Sequence, residues 1–149
     1  MPSAQPTVNR PPPLPATLVL RLTRNASRVR IARLVARAWF RHTCRMSDDR
    51  TETVVLILSE LVTNAIAHGR GHDIALHATM SVDGAVCLEV NDFTFSDAPQ
   101  PLSVGPEAEN GRGLWLVRRS VESLGGEYGH SADGTVAWVR VPLQERPPV

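Results

Sequence analysis

Two neighbouring stretches of this chain follow different hydrophobic periods, and the change between them limits the folds open to it. Residues 57 to 68, ILSELVTNAIAH, repeat apolar side chains at helical spacing and stop at Gly69. Residues 73 to 82, DIALHATMSV, alternate instead, with apolar positions at 74, 76, 78, 80 and 82. Asp83-Gly84 then supplies a hairpin turn, and AVCLEVND alternates back. A long helix beside an antiparallel pair with one apolar face calls for a helix layer on a sheet.

The rest of the chain extends this pattern. TLVLRL alternates at 18, 20 and 22 and predicts a first strand. From Asn25 to Arg45 the period is helical: Ile31, Leu34, Val35, Ala38 and Trp39 are predicted to face inward, with Arg30, Arg33, Arg37 and Arg41 on another face. In DRTE, Asp49 is predicted to cap the second helix while Glu52 reaches back as in a capping box, and Gly69 suits its C-terminal cap. Residues 93 to 112 hold three prolines without a sustained period and form a predicted long loop. GLWLVRRSVESLGG follows as a helix, and a last hairpin turns at Asp133-Gly134. The order β-α-α-β-β-loop-α-β-β predicts an α+β sandwich, with helices on one face of a mixed, mostly antiparallel sheet. Residues 1 to 16 carry half of the twelve prolines and are predicted to be a disordered tail; residues 17 to 142 form the domain and 143 to 149 a C-terminal tail.

Composition narrows the function classes. A chain of 149 residues, 42% hydrophobic and 21% charged, suits one soluble globular domain. The net charge of +1 argues against bulk electrostatic binding of nucleic acid. Nine of the sixteen basic residues nevertheless fall between Arg21 and Arg50, a local positive surface. All sixteen are Arg, which excludes a Walker A lysine and Schiff-base chemistry. Cys44 and Cys87 lack metal-site spacing and read as reduced, buried thiols, in keeping with a cytoplasmic location. No basic start is followed by a long apolar run, so neither secretion nor a membrane span is expected.

Three chemical signals surround the long loop. Glu60, Asn64 and His68 share a helix face by their spacing of four. Asp92 ends a strand. Gly111-Arg112-Gly113 opens a helix, where free amides and the helix dipole favour an anion. His68 suits either the last helix carbonyls or a pocket. Zinc held by His68, His72 and His77 is disfavoured because Gly69 and Gly71 spoil a rigid spacing.

In order and spacing, ELVTNAIAH, EVND and NGRGLWLV resemble the N-box and the two nucleotide boxes of the GHKL ATPase superfamily, which has the Bergerat fold. They are most similar to its bacterial anti-sigma-factor serine/threonine kinase branch, over about residues 17 to 142. The resemblance implies ATP and Mg²⁺ as cofactors. It makes Glu60 the general base, Asn64 the magnesium ligand and Asp92 the acceptor for the adenine amino group. Residues 93 to 112 become an ATP lid with Gly111, Arg112 and Gly113 near the phosphates, beside which His68 is a further nucleotide-site candidate on its helix position alone. NASRVR resembles the branch's N-x-S-x-x-R pattern and makes Arg30 a partner contact. The implied partners are a sigma factor and an anti-anti-sigma protein of the STAS type, with a homodimer through the sheet or first helix.

Two departures stand out. Phe93 and Phe95 replace small residues and are expected to narrow the adenine slot. The late element reads GTVAW and lacks the branch's lysine, leaving Thr135 as the nearest polar candidate. They motivate an alternative, a non-catalytic binding module of the same fold. A sensor-kinase phosphoacceptor is disfavoured, because His42 in RHTCR lacks an acidic neighbour and no dimerisation hairpin is evident before the domain.

Overall fold

A computed structural model describes residues 16–94 and 112–145, residue 112 by its backbone. The expected N-terminal tail up to residue 15, most of the expected lid, Phe95, Gly111 and the Arg112 side chain lie outside these. The elements are β1 (Thr17–Thr23), α1 (Arg28–Ala38) continued by a π-helical turn (Trp39–Thr43), α2 (Asp48–His68), β2 (Asp73–Met80), β3 (Ala85–Asn91), α3 (Arg112–Ser123), β4 (Glu127–His130) and β5 (Val136–Pro142). One sheet runs in the order β1-β2-β3-β5-β4. Every pairing in it is antiparallel, which corrects the expected mixed sheet. β3 and β4 do run the same way across the α3 crossover, but β5 inserts between them and pairs with both.

The core is where α2 and α3 meet the inner face of the sheet. α2 buries Val54, Ile57, Leu58, Leu61 and Val62, α3 buries Val117 and Val121, and the strands contribute Ile74, Leu76, Val86, Leu88, Val139 and Val141. The alternation of β2 ends earlier than the sequence suggests. Val82 is fully exposed, because Ser81 already closes the turn through its N–H to the Ala85 carbonyl at 2.8 Å. Gly84 and Gly134 take positive φ in the two hairpin turns, as Asp-Gly turns require.

α1 buries a different face from the one expected. Ala32, Ala36 and Phe40 are buried, while Ile31 is 37% and Leu34 57% exposed. Two alanines one turn apart let the helix axis lie close to its neighbours, and Phe40 then fills the space beyond. The arginine face stays at the surface but is tied to α2: Arg37 grips Glu52 through two bonds of 2.8 and 3.2 Å, and Arg41 pairs with Asp48 at 2.8 Å. Glu52 is therefore no capping-box partner. The cap of α2 is Ser47, whose hydroxyl accepts the Arg50 N–H, and Asp49 sits in the first turn.

Arg50 ties the layers together. It is buried and donates from Nε to the Pro142 carbonyl at 2.7 Å and from Nη2 to the Leu124 carbonyl at 2.8 Å. Of the two cysteines, Cys44 is buried as expected, whereas Cys87 is half-exposed on the outer face of β3. No helix among the described residues is long and apolar enough to cross a membrane.

Candidate functional site

The strand ends open a cleft of about 360 Å³ between sheet and helices. Its floor is Val90 and Asp92 from β3 and its exit, Thr135 and Ala137 around the start of β5, and His130 at the end of β4. Leu61, Asn64, Ala65 and His68 of α2 and Leu114 of α3 close over it, with Arg70 and Thr94 at the rim. The volume lies within the range of small-molecule sites.

Asp92 is held from several sides. Its N–H donates to the Thr135 carbonyl at 3.0 Å, and its Oδ1 accepts the Thr94 N–H at 2.8 Å. Thr94 in turn accepts the Arg70 N–H at 2.9 Å, which ties this corner to the end of α2. Gly69 is the C-cap of α2 with an extended backbone (φ −66°, ψ 151°), so its role is not left-handed capping. A Cβ there would stand 2.4 Å from the Ala65 carbonyl oxygen and 3.3 Å from the Asp92 Cβ. Glycine lets α2 end directly against Asp92.

The three polar residues of the α2 stripe separate. Asn64 and His68 line the cleft, whereas Glu60 is absent from its lining. The half-buried Glu60 carboxylate instead lies against α3: a Cβ on Gly113 would be 2.6 Å from its Oε2. The first turn of a helix favours negative charge. Thr135 lines the cleft with its hydroxyl donating to Asp133 Oδ1 at 2.7 Å. Arg30 is exposed on α1, outside the cleft. Asn25 organises the turn before it, its Oδ1 accepting from the N–H and hydroxyl of Ser27.

Phe93 does not narrow the slot. Its backbone is left-handed (φ 58°), which swings the ring out beneath the Arg21 guanidinium, 5.1 Å from the ring centre. That conformation costs a non-glycine residue about 1–2 kcal/mol and is where a glycine would sit freely.

His130 is the site residue that sequence reasoning missed. It is half-buried, with Nε2 3.3 Å from the Tyr128 hydroxyl. Burial lowers its pKa, and the neighbouring Asp92 carboxylate raises it in part. The alternation in EYGH puts His130 on the face of Tyr128, but nothing local says that this face meets a cleft.

A floor of Val90 and Ala137 edged by the Asp92 carboxylate, Thr135 and His130, and roofed by a helix that offers an amide and an imidazole, is suited to a flat polar ring joined to an anion. A family model described as a histidine kinase-like ATPase domain matches residues 22–141. The chain belongs to that family. This is the GHKL superfamily that the three boxes resemble, and the observed fold agrees with it. The Erythrobacter litoralis EL346 blue-light activated histidine kinase matches with a TM-score of 0.55 and 19% identity, over 73% of this chain and 40% of that one. The histidine kinase domain of the same protein matches with a TM-score of 0.53 and 16% identity, over 82% of this chain and 62% of that one. The histidine kinase-like domain thus spans less than two thirds of either. Comparison with curated proteins finds no match.

The residues present fit Mg-ATP. Asp92 can accept from an exocyclic amine lying over Val90 and Ala137, and Asn64 offers one neutral oxygen, enough for Mg²⁺ when phosphates and water complete its shell.

Proposed function

We propose that this histidine kinase-like ATPase domain binds Mg-ATP in the cleft and is a serine/threonine protein kinase of the anti-sigma-factor type. It phosphorylates an anti-anti-sigma partner of the STAS type and sequesters a sigma factor, in the cytoplasm and as a homodimer. The observation that carries this reading is the convergence of Asn64, His68, Asp92 and Thr135 on one cleft, with the Glu60 carboxylate beside it at the first turn of α3.

In this reading Asp92 holds the base, Asn64 holds the metal, and Glu60 orients the acceptor hydroxyl and takes its proton. Bound Mg-ATP supplies the phosphoryl group and the charge neutralisation its transfer needs. Gly111, Arg112 and Gly113 belong near the phosphates, and the exposed Arg30 belongs to the partner surface.

Calorimetric titration with ATP, with and without Mg²⁺, tests the pocket. Binding should need Mg²⁺ and weaken in Asn64→Ala and Asp92→Asn. Glu60→Ala should keep binding and lose transfer to the acceptor; unchanged transfer would remove Glu60 from the chemistry. One observation favours a second reading, a non-catalytic docking module: Glu60 leans on α3 rather than into the cleft. Nucleotide binding without transfer to any cognate acceptor would select it.

A further inference from the structure

His130 is a polar side chain on an otherwise apolar row of the cleft floor. In register, Val90 pairs with Ala137 and Ala137 with His130, so the imidazole ends a row that starts next to Asp92. Tyr128 stands two residues back on the same face, with the two rings edge to face at 5.2 Å. Burial pushes the Tyr128 pKa far up, so the phenol keeps its proton. Among the described residues its hydrogen-bond partner is His130 Nε2, 3.3 Å away. In the tautomer in which this half-buried phenol donates to Nε2, the His130 proton sits on Nδ1. Burial also disfavours the charged imidazolium, so the ring is neutral. Nδ1 has no hydrogen-bond partner among the described residues. Across the β3-β5-β4 row the cleft therefore sets an acceptor, Asp92, and a neutral imidazole, His130, on either side of Val90 and Ala137.

We propose that His130 is a base-contacting, specificity-determining residue of this cleft: its Nδ1–H donates to a purine ring nitrogen flanking the exocyclic amine that Asp92 accepts. The proposal rests on the cleft being a nucleotide site. It assigns to β4 a role in recognition that the three boxes do not contain. An adenine carries a donor amine flanked by acceptor ring nitrogens and matches the pair. A guanine would set its carbonyl oxygen against the Asp92 carboxylate and meets repulsion instead.

The test is calorimetric titration of the folded native chain, His130→Val and His130→Gln with ATP, 1-deaza-ATP and 7-deaza-ATP. Circular dichroism and melting temperature establish that each variant keeps the fold. Loss of one hydrogen bond should weaken ATP binding about three- to tenfold in His130→Val. His130→Gln, which keeps an N–H donor, should bind within about twofold of native. The penalty of His130→Val should vanish for the one analogue that lacks the contacted nitrogen, since the bond is then already missing. An equal penalty for ATP and both analogues, or none for ATP, overturns the proposal while leaving the nucleotide site intact. Absence of ATP binding to the native chain overturns the nucleotide reading itself, and this assignment with it.

Discussion

Gly69 is where the end of α2, the entry to α1 and the candidate base site press on one backbone atom, so replacing it by alanine tests that arrangement directly. Its φ of −66° and ψ of 151° are open to any residue, so Gly69→Ala carries no conformational penalty. The cost is steric. The new Cβ would lie 2.4 Å from the Ala65 carbonyl oxygen, and 3.3 Å from Arg24 Cδ and Asp92 Cβ. The carbonyl belongs to the last turn of α2 and accepts the Gly69 N–H at 2.8 Å, so relief means unwinding that turn or shifting the 92–94 corner. Overpacking of this kind costs about 1–3 kcal/mol and a frayed hydrogen bond about another 1 kcal/mol. The stiffer unfolded chain returns about 0.4–1 kcal/mol. A net loss of about 1–3 kcal/mol should lower the melting temperature by about 3 to 10 °C. Gly71→Ala is the control, because its Cβ would meet only ordinary contacts at 3.7 and 3.8 Å and its φ is not left-handed. Thermal and urea unfolding followed by circular dichroism decide the matter. If Gly69→Ala matches the native chain, or Gly71→Ala loses as much, the close approach of α2 to Asp92 does not exist as described.

Further expectations concern the core and the thiols. Arg50→Met keeps the apolar stem but leaves the Pro142 and Leu124 carbonyls without their donor, and should cost about 2–4 kcal/mol in urea unfolding. Thr51 is fully buried and its hydroxyl has no hydrogen-bond partner among the described residues, so Thr51→Val should stabilise by about 0.5–1.5 kcal/mol; a loss would reveal a partner. Burial pushes the Cys44 thiol up to about 11, so in the native protein a thiol reagent should label Cys87 and reach Cys44 only on unfolding. The sign for stability follows. A folded-state pKa above the unfolded one adds stability that is complete below the unfolded thiol's value of about 8.5 and is lost as pH rises from there. Chemical denaturation should show this loss between pH 9 and 11, and it should shrink in Cys44→Ala.

Periodicity alone identified β2, β3, α2 and both Asp-Gly turns, because alternation and turn chemistry are properties of adjacent residues. The helical spacing of Asn64 and His68 likewise sufficed to put them on one wall, and Asp92 sits at its strand end as read. Elsewhere the deciding partner was distant in sequence. α1 buries Ala32, Ala36 and Phe40 rather than its larger apolar residues, because how closely a helix approaches its neighbours is settled by those neighbours. Glu52 serves Arg37, fifteen residues back, instead of the capping box its local spacing suggested. Phe93 leaves the slot free because the turn after β3 takes a left-handed residue, a choice enforced by the Asn91 and Asp92 side-chain bonds and the α2 end beside them. Tertiary structure alone brought His130 into the cleft. β5 pairs with β3 on one side and with the edge strand β4 on the other, and so carries an imidazole from 38 residues beyond Asp92 to the same floor. Local sequence determined which elements form and which faces are apolar; the meeting of those faces, and therefore the donor set of the site, depended on packing between segments far apart in the chain.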